Sequence, residues 1–255
     1  MKTAFFLFSY GGVEGRVMDS VIDEIMLAGS KGAVLGYARI HDDALISRSR
    51  SKALSDFIKS DFDTIVMCDH DIEFEPGAVI GLAEQADLRK CLVSGMVSLR
   101  GLGAGIAGRM KNPRQPVHPG ADECYEADYL GAGFLAIPRV VAEEVLKAGL
   151  LPDAPPNAKI AECIGLDGHP FYDFFRCVVA PNGEGKNEML SEDWSFCYRA
   201  RKANKDRPMY LWAKPMLLHW GEYGYSVLQA GQQVSPMSKL DAVREPAPAP
   251  GRIIR

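Results

Sequence analysis

The chain has 255 residues, 47% hydrophobic and 24% charged, enough to bury a full core as one globular α/β domain. Its net charge of −4 and sequence pI near 5.8 withhold the broad positive field that nonspecific nucleic-acid or anionic-membrane binding needs. Six cysteines, at 68, 91, 124, 163, 177 and 197, form no Cys-x-x-Cys pair, which speaks against a zinc ribbon or a disulfide framework and for reduced thiols in a cytoplasm.

In chain order, strand-like and helix-like segments alternate, the pattern of an α/β domain. The apolar run from Ala4 to Ser9 predicts a first strand; it is too short for a signal peptide and runs into Gly11-Gly12, Glu14 and Arg16. Val17, Val21, Ile22, Ile25 and Met26 then put an apolar face on a helix ended by Gly29. A second strand is expected over Ala33 to Ala38, followed by a helix capped by Ser47 and running through Ile58. A central strand over Thr64 to Cys68 precedes a helix with Pro76 in its first turn. Leu92 to Val97 reads as a further strand. Arg100 to Gly120, with five glycines and the basic Arg100, Arg109, Lys111 and Arg114, predicts a mobile loop near the site.

Tyr129 to Ile137 reads as an extended segment kinked at Gly131 and Gly133, Pro138 opens a helix that Gly149 closes, and 150–170 is expected to be loop. Ser191-Glu192-Asp193 marks a capped helix start carrying Trp194, Phe196 and Cys197 inward, and Met209 to Ala213 and Met216 to His219 read as short strands. No apolar stretch reaches the roughly 18 residues that span a bilayer. Residues 1–228 are thus expected as one domain. Residues 229–255, polar and Pro/Ala-rich, form a tail that is either disordered or an arm laid on a partner subunit of a homo-oligomer.

Asp69 and Asp71 say most about function. Two carboxylates one residue apart, at the carboxyl end of a buried strand, can present oxygens to a hard divalent cation and to a sugar-nucleotide ribose. A lone Asp-x-Asp also arises because Asp side chains bond the backbone of a turn, so the weight falls on its company. Ser47-Arg48-Ser49-Arg50, Ile65 to Asp71, Gly131-Ala132-Gly133-Phe134, Ser191 to Phe196 and His219-Trp220-Gly221, in that order over roughly residues 3–225, resemble the GT-A glycosyltransferases of the family 2-like kind, in the small form found in bacteria and phages. The resemblance implies a single-domain α/β fold, a Rossmann-like (GT-A) mixed sheet flanked by helices. It implies Asp71 as the main ligand of Mn²⁺ or Mg²⁺, Asp69 directed to the ribose or sharing the ion, and His219 completing the metal site. It also puts Ser9, Tyr10 and Gly11 beside the nucleotide base, with Tyr10 stacking on it, and Gly131 and Gly133 beside the donor sugar.

The chemistry gives its own reasons for these residue types. Breaking a sugar–phosphate bond leaves charge on a diphosphate, which a carboxylate-bound divalent cation stabilises. The attacking hydroxyl must lose a proton, so a carboxylate facing the metal across the sugar is wanted as general base. Asp193 is the first choice and Glu192 the second, although acids in a first helical turn also suit the helix dipole. Arg48 is preferred over Arg50 as a contact for the donor diphosphate. His70, by strand alternation, is expected to point away from the two acids, and Trp194 and Trp220 read as packing.

Together these give an inverting hexosyltransferase using a nucleotide sugar, a UDP-sugar first of all, in a cytoplasm that would be the host's if the gene is a phage's. The acceptor hydroxyl would lie on a glycan, a virion protein or a hydroxymethylated DNA base. The alternatives are a sugar-phosphate nucleotidyltransferase, against which the stretch Ser9 to Gly15 lacks a basic phosphate loop, and a non-catalytic sugar-nucleotide or glycan-binding module.

Overall fold

The structure, a computed structural model, describes residues 1–100, 105–182, 184–221, 223–226 and 237–238. In chain order the elements are β1 (Lys2–Phe8), α1 (Gly15–Ser30), β2 (Val34–Ile40), α2 (Ile46–Lys59), β3 (Thr64–Asp69), β4 (Ile72–Phe74), α3 (Ala78–Arg89), β5 (Val93–Gly95) and β6 (Gly108–Met110). They continue with β7 (Cys124–Leu130), β8 (Phe134–Pro138), α4 (Arg139–Gly149), β9 (Glu162–Ile164), β10 (Pro170–Tyr172), β11 (Val179–Pro181), β12 (Asn187–Met189), α5 (Glu192–Ala203), β13 (Met209–Trp212), β14 (Leu217–Trp220), β15 (Tyr223–Tyr225) and β16 (Met237–Ser238). An eight-stranded sheet runs β2-β1-β3-β8-β5-β13-β7-β6. It is mixed: β1 pairs in parallel with β2 and β3, while β8 runs against both β3 and β5. This is the α/β class, with a mixed sheet flanked by helices in a single domain, that the sequence led us to expect.

The central strand shows why the sheet is a two-faced core. Along β3, Ile65 and Met67 belong to one hydrophobic cluster, with Leu54 and Phe57 of α2, Val145 of α4 and Phe196 of α5. The alternate residues Val66 and Cys68 belong to the other, with Val17 and Val21 of α1 and Val79 and Leu82 of α3. A period of two with apolar residues on both faces makes a strand buried between helix layers. Because β8 is antiparallel, its first residues meet the carboxyl end of β3, and the Asp69 amide donates to the Gly133 carbonyl at 2.9 Å. A second sheet, β16-β15-β14-β4, places His219 opposite Ile72. Its strand β14 thereby comes alongside the Asp-His-Asp turn.

Several local expectations are corrected. Ser47 lies inside α2, whose start is held instead by Asp43 Oδ1 accepting the Leu45 amide at 3.0 Å. Pro76 precedes α3 rather than sitting in its first turn. Gly29 stays helical, and the chain leaves α1 through Gly32, whose φ of +66° belongs to the left-handed region. Ile22, Ile25 and Met26 face solvent, because the core-facing stripe of α1 is Val17, Ser20, Val21, Glu24 and Ala28. The stretch 150–170 is not all loop, since Glu162–Ile164 pairs with Pro170–Tyr172. The Gly-rich stretch contributes edge strand β6, paired to β7, while 101–104 lie outside the described residues. Most of the tail from 229 lies outside them too, apart from the short pairing of β16 with β15.

Candidate functional site

Three strand ends build the site. At the carboxyl end of β3 the Asp69 carboxylate accepts Arg50 Nη2 at 2.7 Å and 3.0 Å. The same guanidinium donates through Nη1 to Glu192 Oε1 at 2.6 Å, so the first turn of α5 is tied to the end of β3. Burial works against the charge on Arg50, but Asp69, Glu192 and Asp193 around it raise its pKa above the ordinary value. Asp193 itself accepts the Ser191 hydroxyl and, at 2.8 Å, the amide of Trp194. It makes no ion pair among the described residues.

Asp71 is buried at 7% exposure. Burial alone would push its carboxyl up; the hydrogen bond and charge of His219, with Arg100 and His70 nearby, win and hold it below the ordinary range. His219 Nδ1 lies 2.8 Å from the Ser98 carbonyl, an oxygen that can only accept, so Nδ1 carries a proton. Its Nε2 faces Asp71 Oδ2 at 3.6 Å. A carboxylate oxygen and an imidazole nitrogen so placed can share a proton or a cation. At present Arg100 Nη2 rests on the same Oδ2. The donor set, one carboxylate and one imidazole nitrogen, suits Mn²⁺ and tolerates Mg²⁺. Among the described residues no group of three or more metal-ligating side chains converges, so other ligands would have to complete such an ion's shell.

Beside these acids lies a cavity of about 230 Å³, lined by Phe8, Ser9, Tyr10, Asp43, Ala44, Ile46, Ser49 and the run Asp69-His70-Asp71. It opens at the carboxyl ends of β1 and β3, where α/β sheets place ligands. Ser9 is buried and its hydroxyl has no partner among the described residues, whereas Tyr10 is 69% exposed on the rim. Gly11 has φ +84°, which a side chain would strain.

The structure thus brings together Ser9, Tyr10, Asp69 and Asp71 at the cavity, with His219 and Glu192 reaching in through Asp71 and Arg50. Gly133 lies beneath the acids: a Cβ there would stand 3.4 Å from Asp69 Oδ2. Gly131 is used differently. Its missing side chain admits Ala107, whose Cβ and carbonyl oxygen would each lie 2.8 Å from a new Cβ. Arg48 also turns aside, donating to Asp43 at 2.6 Å and 2.8 Å. Trp220 is buried, with its indole donating to Glu73 at 2.6 Å, and Trp194 stacks on Tyr129 at 4.6 Å, so neither offers an open sugar platform.

His70 was expected to point away, yet it lines the cavity, because β3 ends at Asp69 and the turn breaks the alternation. Arg50 carried a readable signal: with Ala53, Leu54 and Phe57 it follows the i, i+3, i+4, i+7 spacing of the buried face of α2, and Arg48 does not. Arg100 left no such trace.

Neither a family model nor a curated protein matches the chain. Among solved structures it is similar to A197 from STIV, at 17% identity and a TM-score of 0.55 over 93% of this chain and 94% of that one. This likeness is one of fold. Weaker likenesses extend to GalNAc-T7 crystallised with UDP, GalNAc and Mn²⁺ (11% identity, TM-score 0.47, 85% of this chain and 42% of that one) and to S. aureus TarS 1-349 (9% identity, TM-score 0.43, 84% and 58%).

Proposed function

We propose that this chain is a metal-dependent glycosyltransferase that moves a hexose from a nucleotide sugar, in the first instance a UDP-sugar, to an acceptor hydroxyl. The observation that carries the reading is the facing pair Asp71 Oδ2 and His219 Nε2, set beside a cavity at the strand ends. In it, Ser9, Tyr10 and Gly11 contact the nucleotide base and Asp69 the ribose. Asp71 and His219 hold Mn²⁺ or Mg²⁺, which when bound supplies Lewis-acid stabilisation of the departing diphosphate. Gly133 leaves room for backbone near the sugar, Gly131 acts only indirectly by letting Ala107 pack against that segment, and Arg48 steadies Asp43 on the cavity wall.

The acceptor oxygen forms a bond to the anomeric carbon as the carbon–phosphate oxygen bond breaks and its electron pair leaves with the diphosphate. The hydroxyl proton goes to Asp193, whose carboxylate is not taken by a cation, unlike that of Glu192. A single displacement by the acceptor oxygen, with Asp193 taking its proton, inverts the anomeric centre. Acceptor hydroxyls to be tried are those of glycans, virion proteins and hydroxymethylated DNA bases.

The test is calorimetric binding of a panel of nucleoside diphosphates and nucleotide sugars with and without Mn²⁺. Metal-dependent binding that is lost in Asp71→Ala supports the donor site; no binding under either condition overturns it.

A further inference from the structure

We propose that Arg50 is a positioning residue that holds the donor-side acid Asp69 and the base-bearing first turn of α5 in one register, an inference that rests on the glycosyl-transfer reading. Arg50 is 3% exposed, and among the described residues its guanidinium donates only to the oxygens of Asp69 and Glu192, which come from distant parts of the chain. Its Nε, also buried, has no partner among the described residues. A buried ion triad with an orphaned donor is a poor device for stability, since well-packed apolar side chains hold a core without the desolvation cost. The same triad is a good device for geometry, because the planar fork fixes the distance and angle between the two carboxylates it joins.

What it joins matters. Glu192 makes its one ion pair among the described residues with Arg50, and Asp193 is the next residue, so any drift of Glu192 displaces the candidate base by covalent continuity. The rest of α5 is anchored independently: Ser195 Oγ accepts the Val178 amide at 3.0 Å, and Phe196 stacks on Phe175 at 4.6 Å. Cutting the tether therefore loosens the first turn without unfolding the helix. Arg50 also sorts the four acids of the site. It engages Asp69 and Glu192, and leaves Asp71 to the cation and Asp193 to the acceptor proton.

The experiment compares Arg50→Lys, Glu192→Gln and the double variant, each checked for folding by circular dichroism and melting. Calorimetry then gives the Kd for UDP with Mn²⁺, and release of UDP from a UDP-hexose into water gives kcat and KM. Each single variant should keep the UDP Kd within about threefold and lower kcat by roughly 10- to 100-fold, the scale of a misplacement near 1 Å. The double variant should be no slower than the worse single one, because both substitutions cut one tether. Unchanged kcat in folded Arg50→Lys, a double loss equal to the product of the single losses, or a Kd that rises as far as kcat falls overturns the inference. If Arg50→Lys fails to fold, Glu192→Gln breaks the same contact from the less buried side, and unchanged kcat there has the same meaning. A wild-type chain that binds no UDP overturns the glycosyl-transfer reading and this inference with it.

Discussion

At the scale of single residues, the two acids that looked alike in the sequence are faced by different groups, Asp69 by Arg50 and Asp71 by His219 and Arg100. Asp71→Ala and His219→Ala should each weaken the Mn²⁺-dependent part of nucleotide binding, measured by calorimetry, with the larger loss for Asp71. Asp193→Asn should leave UDP binding nearly intact and lower transfer by roughly 10²- to 10⁴-fold, the usual share of a general base; normal turnover in this variant rules Asp193 out. The Asp71 carboxyl is held below its ordinary value in the folded chain. Its contribution to stability is therefore present above the unfolded value, about pH 4, and is lost as pH falls through the folded one. Urea midpoints should drop in acid more steeply for the wild type than for Asp71→Asn. Asp69, Asp71 and His219 stood out in the sequence by residue type, and the structure brings Asp71 and His219 face to face with Asp69 beside them on the cavity wall. Arg100 did not stand out, because its partner Asp71 is brought to it by the fold rather than by any local pattern.

At the scale of elements, strand and helix cores were legible and their ends were not, for one physical reason: several ends are held from outside. The amides of Gly77 and Ile80 at the start of α3 donate to Glu24 of α1, at 2.5 Å and 2.9 Å. No residue near Pro76 announces this cap. Removing it in Glu24→Ala should lower stability by about 1–3 kcal/mol, the cost of leaving buried donors unpaired, read from urea unfolding at neutral pH. Burial pushes the Glu24 carboxyl up despite those amides. Its sign is opposite to that of Asp71: the folded chain binds this proton more tightly, so the group lowers stability as pH rises from the unfolded value through the folded one. The apolar residues of α1 illustrate the same limit, since Glu24 and Ser20 occupy core positions that hydrophobic spacing assigned to Ile25 and Met26.

At the scale of the molecule, the α/β class followed from the alternation of strands and helices, whereas the antiparallel insertion of β8 between β3 and β5 did not. That insertion depends on long-range pairing, and it sets Gly133 against Asp69. The pairing of β14 with β4 has a further consequence. His219 and Asp71 stand at the same end of that pair, on segments far apart in the sequence, and the Trp220 amide already donates to the Asp71 carbonyl at 2.7 Å. An ion seated between the two side chains would clasp the end of the small sheet to the turn leading out of the large one, once Arg100 has given up its place. Ion binding and unfolding would then share one free-energy ledger, and the melting temperature of the substrate-free chain would climb with Mn²⁺ by the logarithm of its concentration over Kd.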